Sequence, residues 1–326
     1  LKSGNSTRGL DGFGLEDAQT ESTRRWGNRM PMNDAQKAQM QAGKGFIAAL
    51  DQSGGSTPKA LSLYGVMPDD YDGEAAMFQA MHDMRARIIL ADDFTSQKVI
   101  GAILFERTMD AQINGKPVAQ LLWEDRGVVP FLKIDKGLEE KAQDVQLLKP
   151  MPDLDTLLAR AVEKGIFGTK ERSVIHEANQ AGIDAVVAQQ FEVAKQVCAA
   201  GLVPIIEPEV NIQSGSKAEA EEMLARSLLA HTDTLNADQQ VMLKLTIPEE
   251  AGLYDGLSGH ANVLRVVALS GGYTTDEACA RLSQNSQMIA SFSRALTEGL
   301  NVAMDDAAFN AALGANIDKI YRASVG

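Results

Sequence analysis

Eight short apolar runs alternating with longer amphipathic or alanine-rich stretches predict an α/β fold, and their number predicts a single-domain (β/α)8 TIM barrel. The runs occupy residues 46–50, 100–105, 128–134, 165–169, 202–206, 241–245, 263–269 and 288–292. Strand followed by helix, repeated, implies a parallel sheet covered by helices, and eight such units in about 250 residues favour closure over an open doubly wound sheet. The Gly-x-Gly-x-x-Gly fingerprint expected of the open alternative is absent after the first run.

In chain order, residues 1–32 are rich in Gly, Ser, Thr, Arg and Asp and hold no sustained apolar period, so they read as a poorly structured tail or processing remnant. The barrel domain is expected to span 33–326 and to end in a helical segment. Asn33 is placed to cap a first helix over 34–41, because an Asn side chain there can accept from a free N–H of the first turn. The sixth run, 241–245, lacks a polar residue at every second position, as a strand buried on both faces does. Helical periodicity is read over 74–90, 153–164, 177–200, 217–230 and 275–284, and weakly between the second and third runs, near 114–126.

With 44% hydrophobic and 23% charged residues in 326, the chain can bury a large core. A net charge of -13 and a pI near 4.8 argue against nucleic acid or an anionic membrane surface as partner. No apolar run reaches membrane-spanning length. Cys198 and Cys279, far apart and without a C-x-x-C, suit small reduced core residues in a cytoplasmic setting. An organelle remains compatible with a targeting remnant at the N-terminus. His82, His176, His231 and His260 lack zinc-ligand spacing, so no metal and no cofactor is expected.

Lysine is out of place in the sixth run, Val-Met-Leu-Lys-Leu around Lys244. Burial disfavours the charged amine, and with cations nearby its pKa can fall from about 10.4 to roughly 7–8. Such an amine attacks carbonyl carbons, and the protonated imine draws electrons from the adjacent carbons. A lysine snorkelling from a strand end to solvent is the bland alternative. Other polar residues cluster where a barrel builds its site, at the carboxyl ends of the strands. Asp51, Ser53 and Ser56 follow the first run; Lys133 and Asp135 share a face at the third; Lys170 and Arg172 follow the fourth. Glu207 and Glu209 share a side after the fifth, Ser270-Gly271-Gly272 follows the seventh, and Ser293-Arg294 the eighth. Each alone is a common turn or solvated end; their agreement in position is what suggests a site. Lys170 is the candidate cation beside Lys244 and Glu207 the candidate proton carrier. Ser270, Gly271, Gly272 and Arg294 are suited to one phosphate, and Lys133 and Arg172 with the Ser53 and Ser56 hydroxyls to a second anion. A sugar bisphosphate cleaved at a lysine imine fits this set.

These residues resemble the class I fructose-bisphosphate aldolases of the bacterial-type branch from about residue 33 onward. The likeness rests on Ala49 to Ser53, Lys133 to Gly137, Pro204 to Glu209, Leu243-Lys244, Ser270 to Gly272 and Ser293 to Leu296. It implies reversible cleavage of fructose 1,6-bisphosphate, with Lys244 as the imine lysine, Glu207 as acid–base and Glu209 as its positioning partner. Asp51 would assist carbon–carbon cleavage and Lys170 imine formation. Animal relatives carry glycine where this chain has Ser293, and Lys-Pro-Asn where it has Lys244-Leu245-Thr246. A transaldolase-like lysine-imine barrel is the nearest rival, which two phosphate clusters disfavour. A silent sugar-phosphate-binding protein on the same fold is the other. The expected partner is the sugar phosphate, with a homo-oligomer left open. Tyr321 is followed by five residues, unlike the terminal tyrosine of animal relatives.

Overall fold

A computed structural model describes residues 34–326. The expected tail at 1–32 and the cap at Asn33 lie outside the described residues. Eight parallel strands form the sheet: β1 (Phe46–Leu50), β2 (Val99–Leu104), β3 (Val129–Lys133), β4 (Gly168–Ile175), β5 (Val203–Val210), β6 (Val241–Thr246), β7 (Val263–Leu269) and β8 (Met288–Ala290). Each pairs with the next in chain order. At the seam the Ala49 N–H donates to the Phe292 carbonyl at 3.4 Å, which nearly closes the barrel.

The helices are α1 (Asp34–Ala42), α2 (Thr57–Tyr64), α3 (Gly73–Leu90), α4 (Glu106–Asp110), α5 (Val118–Arg126), α6 (Leu154–Glu163), α7 (Gln180–Ala199), α8 (Lys217–Thr232), α9 (Asp255–Ser258), α10 (Thr275–Leu282), α11 (Arg294–Thr297) and α12 (Asp306–Val325). The weak pattern at 114–126 resolves into α5 and a two-residue hairpin that pairs Gln112–Ile113 with Lys116–Pro117. Helix α2 and the antiparallel strand Val145–Gln146 beside β4 were not legible in the sequence. No described helix is long and apolar enough to cross a membrane.

Two strand boundaries differ from expectation in a way that matters. The fourth strand begins three residues later than its apolar run and continues to Ile175; the fifth continues to Val210. Lys170, Arg172, Glu207 and Glu209 therefore lie inside strands, not after them. Charged residues broke the apolar pattern, but β4 and β5 keep pairing through them, with Lys170 opposite Ile205 and Arg172 opposite Glu207.

Alternation along the strands sorts the core into two layers. Phe46, Ala48, Leu50, Leu132, Ile206, Leu243 and Val266 pack outward against the helices. Ile47, Ile103, Val129, Phe131, Val203, Ile205, Met242, Val267 and Ile289 fill the interior, each contributing about 1.5–3 kcal/mol for the larger side chains. Phe131 meets Phe167 edge to face at 5.5 Å. Gly168 gives Phe131 its space, since a Cβ there would stand 2.8 Å from the Phe131 ring and 2.1 Å from the Val203 carbonyl oxygen. Helix α1 closes the lower end of the barrel: Met40 joins the interior cluster, and Gln39 Nε2 donates to Ile100 and Gly127 carbonyls at 2.8 and 2.7 Å. With its floor plugged and its middle apolar, the barrel is open to polar chemistry only at the carboxyl ends.

Candidate functional site

The interior positions that follow the apolar layer are charged. Ile47 and Ala49 lead to Asp51, Val129 and Phe131 to Lys133, Val203 and Ile205 to Glu207, and Met242 to Lys244. The same alternation that packs the plug therefore points these groups inward, one level higher.

Asp51, Glu207 and Lys244, with Lys170 from β4, form a compact buried cluster. Lys170 Nζ lies 2.7 Å from Asp51 Oδ2 and 3.0 Å from Glu207 Oε2, and Lys244 Nζ lies 3.1 Å from Glu207 Oε1. Lys170, Glu207 and Lys244 are each buried. Two ammoniums thus balance two carboxylates where neither pair could be left alone. Burial by itself would raise the Glu207 carboxyl, yet Lys170 and Lys244 overcome it and hold it below the usual carboxylate range. Asp51 is affected in the same sense and more strongly: burial raises it, and Lys170 and then Lys244 bring it well below its ordinary value. Burial works against the Lys170 ammonium, but Asp51 and Glu207 raise its pKa above that of a free lysine. The Lys170 ammonium and the Asp51 and Glu207 carboxylates thus each favour the charged form of the other.

Around this cluster lies a cavity of about 810 Å³ that is lined by every predicted site residue except Gly272, which lines a smaller one sharing Ser270 and Arg294 with it. On one side, Lys133 Nζ bonds Asp135 Oδ1 at 2.6 Å and Arg172 bonds Glu209. Glu209 thus contacts Arg172, while Glu207, two residues earlier on β5, is held by Lys170 and Lys244. Ser56 Oγ donates to the Ser53 carbonyl at 2.9 Å at the rim.

On the other side, the turn after β7 carries Gly271 and Gly272 with φ of 59° and 127°, a region that favours glycine. A side chain would also be crowded there: a Cβ on Gly271 would stand 2.7 Å from Ile212 Cγ2, and one on Gly272 3.1 Å from Ile212 Cδ1. Arg294 is exposed at the start of α11, and like Lys59 of α2 it pairs with no carboxylate among the described residues. Two cations with open coordination and glycine N–H groups face one cavity, which suits a dianionic group.

Sequence reasoning missed several contributors. Lys59 lines the cavity from a helix with no apolar period long enough to read. Gln52 Nε2 donates to Ser293 Oγ at 2.7 Å across the seam. Buried Arg85 supports that loop by donating to the Gln52 carbonyl and to Thr108 Oγ1, the latter at 2.8 Å. Tyr321 lies half-buried in α12 against the outer core and does not line the cavity. Among the described residues no group of His, Cys, Asp and Glu is arranged to hold a metal ion.

Comparison with known proteins agrees with this geometry. Residues 32–258 match the family described as fructose-bisphosphate aldolase class-I. The chain is 55% identical over 293 residues to a fructose-bisphosphate aldolase class 1 of Synechocystis, covering 90% of this chain and 98% of that protein. Its fold is similar to that of a fructose-bisphosphate aldolase from Plasmodium falciparum solved with TRAP and a small-molecule inhibitor, at a TM-score of 0.68 and 20% identity over 90% of this chain and 94% of the other.

Proposed function

The chain belongs to the class I fructose-bisphosphate aldolase family, and on that premise we propose how its own residues divide the reaction. The activity is the reversible, metal-independent cleavage of fructose 1,6-bisphosphate to dihydroxyacetone phosphate and glyceraldehyde 3-phosphate through a lysine Schiff base. The observation that carries the assignment is the Glu207 carboxylate bridging Lys244 and Lys170 at 3.1 and 3.0 Å.

Glu207 takes a proton from Lys244 Nζ, and the freed amine attacks the ketose carbonyl carbon to form a carbinolamine. The same carboxyl returns a proton to the departing hydroxyl, which leaves as water and gives the iminium. Lys170 stays protonated throughout, so its fixed charge keeps Glu207 and Asp51 ionised and ready to accept. Asp51 then removes the proton of the C4 hydroxyl; the C3–C4 bond breaks, its electron pair moves toward the iminium nitrogen, and the aldehyde product departs. Reprotonation at C3 and hydrolysis of the imine return Lys244 and release dihydroxyacetone phosphate.

Ser270, Gly271, Gly272 and Arg294 take the phosphate nearest the imine, and Lys133, Arg172, Ser53 and Ser56 the distal one. The distal cations are already compensated by Asp135 and Glu209, so binding there exchanges one anion for another. That exchange weakens the distal site relative to Arg294, whose charge is unspent. A cytoplasmic location belongs to the same reading, supported by the sugar-phosphate substrate class.

Borohydride added with dihydroxyacetone phosphate should attach one covalent mass to the peptide that contains Lys244, and Lys244→Met should abolish it. Trapping on another lysine would remove the assignment.

A further inference from the structure

Behind the turn after β7 lies a second cluster of charges that does not face the main cavity. Lys217, buried at 4% exposure at the start of α8, donates to Glu221 Oε1 at 2.6 Å and to the Ile247 carbonyl at 2.9 Å, and pairs with Glu249 Oε1 at 3.2 Å. Ile247 and Glu249 belong to the segment that leaves β6, the strand that carries Lys244. Glu249 in turn accepts from the Tyr273 hydroxyl at 3.1 Å and from Arg281 Nη1 at 3.2 Å, and the Arg281 guanidinium covers the Tyr273 ring at 4.4 Å. Tyr273 completes the glycine turn: its N–H donates to the Ser270 carbonyl at 3.0 Å.

We propose that Glu249 and Tyr273 are positioning residues for the substrate phosphate, fixing the Ser270–Tyr273 turn to the strand that bears the imine lysine. The physical need is specific. Two consecutive glycines in the left-handed region leave the turn with more conformational freedom than any other dipeptide, and ordering it when the phosphate arrives would subtract from binding. Ile212 stands against both glycines, near enough to crowd a Cβ on either, and offers the turn no polar group of its side chain. Tyr273 supplies the polar anchor at its far end, and that anchor is firm because Glu249 is held by a buried ammonium and a guanidinium. The Arg281 guanidinium over the ring and the bond to Glu249 hold the Tyr273 hydroxyl in place, and its pKa is pushed up to about 12 by burial and by the Glu249 carboxylate. It remains a donor throughout the working range. The network links Lys244 and the phosphate turn through Thr246, Ile247, Glu249 and Tyr273, and so fixes the distance between the two points at which one substrate is held.

This inference rests on the reading of the turn as the phosphate site, and the test separates the two. Tyr273→Phe removes the hydroxyl and keeps the ring; Glu249→Gln keeps an acceptor and loses the charge; Arg294→Ala is the reference for the phosphate site itself. Borohydride trapping gives the half-saturating concentration of dihydroxyacetone phosphate and of unphosphorylated dihydroxyacetone for each. Tyr273→Phe should raise the first about three- to tenfold, the range expected for the net contribution of one ordinary hydrogen bond, and leave the second and kcat within about twofold. Glu249→Gln should shift it in the same direction, and the double variant by less than the product of the two. If Arg294→Ala raises the phosphate value while Tyr273→Phe and Glu249→Gln do not, the phosphate reading stands and the positioning role is overturned. Equal losses with both ketones in the Tyr273 and Glu249 variants would mark a general structural role and overturn it as well. An Arg294→Ala enzyme that still favours the phosphorylated ketone would overturn both.

Discussion

The Glu207 carboxylate lies 3.1 Å from Lys244 Nζ, close enough to accept a proton from the amine. Its second oxygen is held by Lys170, which fixes the plane of the carboxylate and keeps it charged.

Glu207→Gln should therefore lower kcat by roughly 10²–10⁴, because shape is kept while proton transfer is lost. The Michaelis constant should move much less. Wild-type turnover in this variant would transfer the acid–base role to Asp51, the other carboxylate on Lys170.

Lys170→Met should cost about 3–5 kcal/mol of stability near neutral pH, since it strands two buried carboxylates beside one remaining ammonium. The sign with pH follows from the lowered pKa values of Asp51 and Glu207. Carboxyls with depressed folded values contribute stability that is fully present above their unfolded pKa of about 4 and is lost as pH falls through the folded value. The wild type should lose this contribution on acidification, and the variant, whose carboxyls are less depressed, should lose less of it. Urea midpoints measured down the acid range check this; parallel curves would rule it out.

Glu171 gives the opposite sign. It lies on the outward face of β4 between Lys170 and Arg172, fully buried, with both carboxyl oxygens lacking a hydrogen-bond partner among the described residues. Burial, reinforced by the Asp135 carboxylate, raises its pKa well above that of a free glutamate. A raised folded pKa contributes stability that is complete below the unfolded value of about 4.3 and is lost as pH rises through the folded one. Glu171→Gln is neutral at every pH, so its Tm should match wild type at the acid end and exceed it increasingly toward alkaline pH. A Tm difference that does not vary with pH would show the carboxyl is not titrating in this range.

Arg294→Ala should remove charge-assisted hydrogen bonds worth about 1.5–3 kcal/mol, or one to two powers of ten in specificity. The Michaelis constant for fructose 1,6-bisphosphate should rise, and the preference over the same sugar without its C1 phosphate should narrow. Equal losses on both sugars would point to distortion of the pocket instead.

The sequence by itself determined the barrel and the facing of its charged groups. Apolar runs mark strands buried on both faces, and period-two alternation puts Lys133 with Asp135, Lys170 with Arg172, and Glu207 with Glu209, whatever the neighbours are. It also isolated Lys244, because one ammonium in an apolar run needs an explanation. Only the tertiary structure decided who pairs with whom. That Lys170 serves both Asp51 and Glu207, and that Glu209 takes Arg172, follows from the stagger of strands far apart in the chain, which no local pattern encodes. The ends of β4 and β5 were hidden for the same reason: charged residues extend a strand only when the next strand brings partners for them. Helix α1 as the barrel floor and the placing of Tyr273 at the end of the Ser270–Gly272 turn likewise depend on contacts with Arg265 and Glu249, distant in sequence and adjacent only once the barrel has formed.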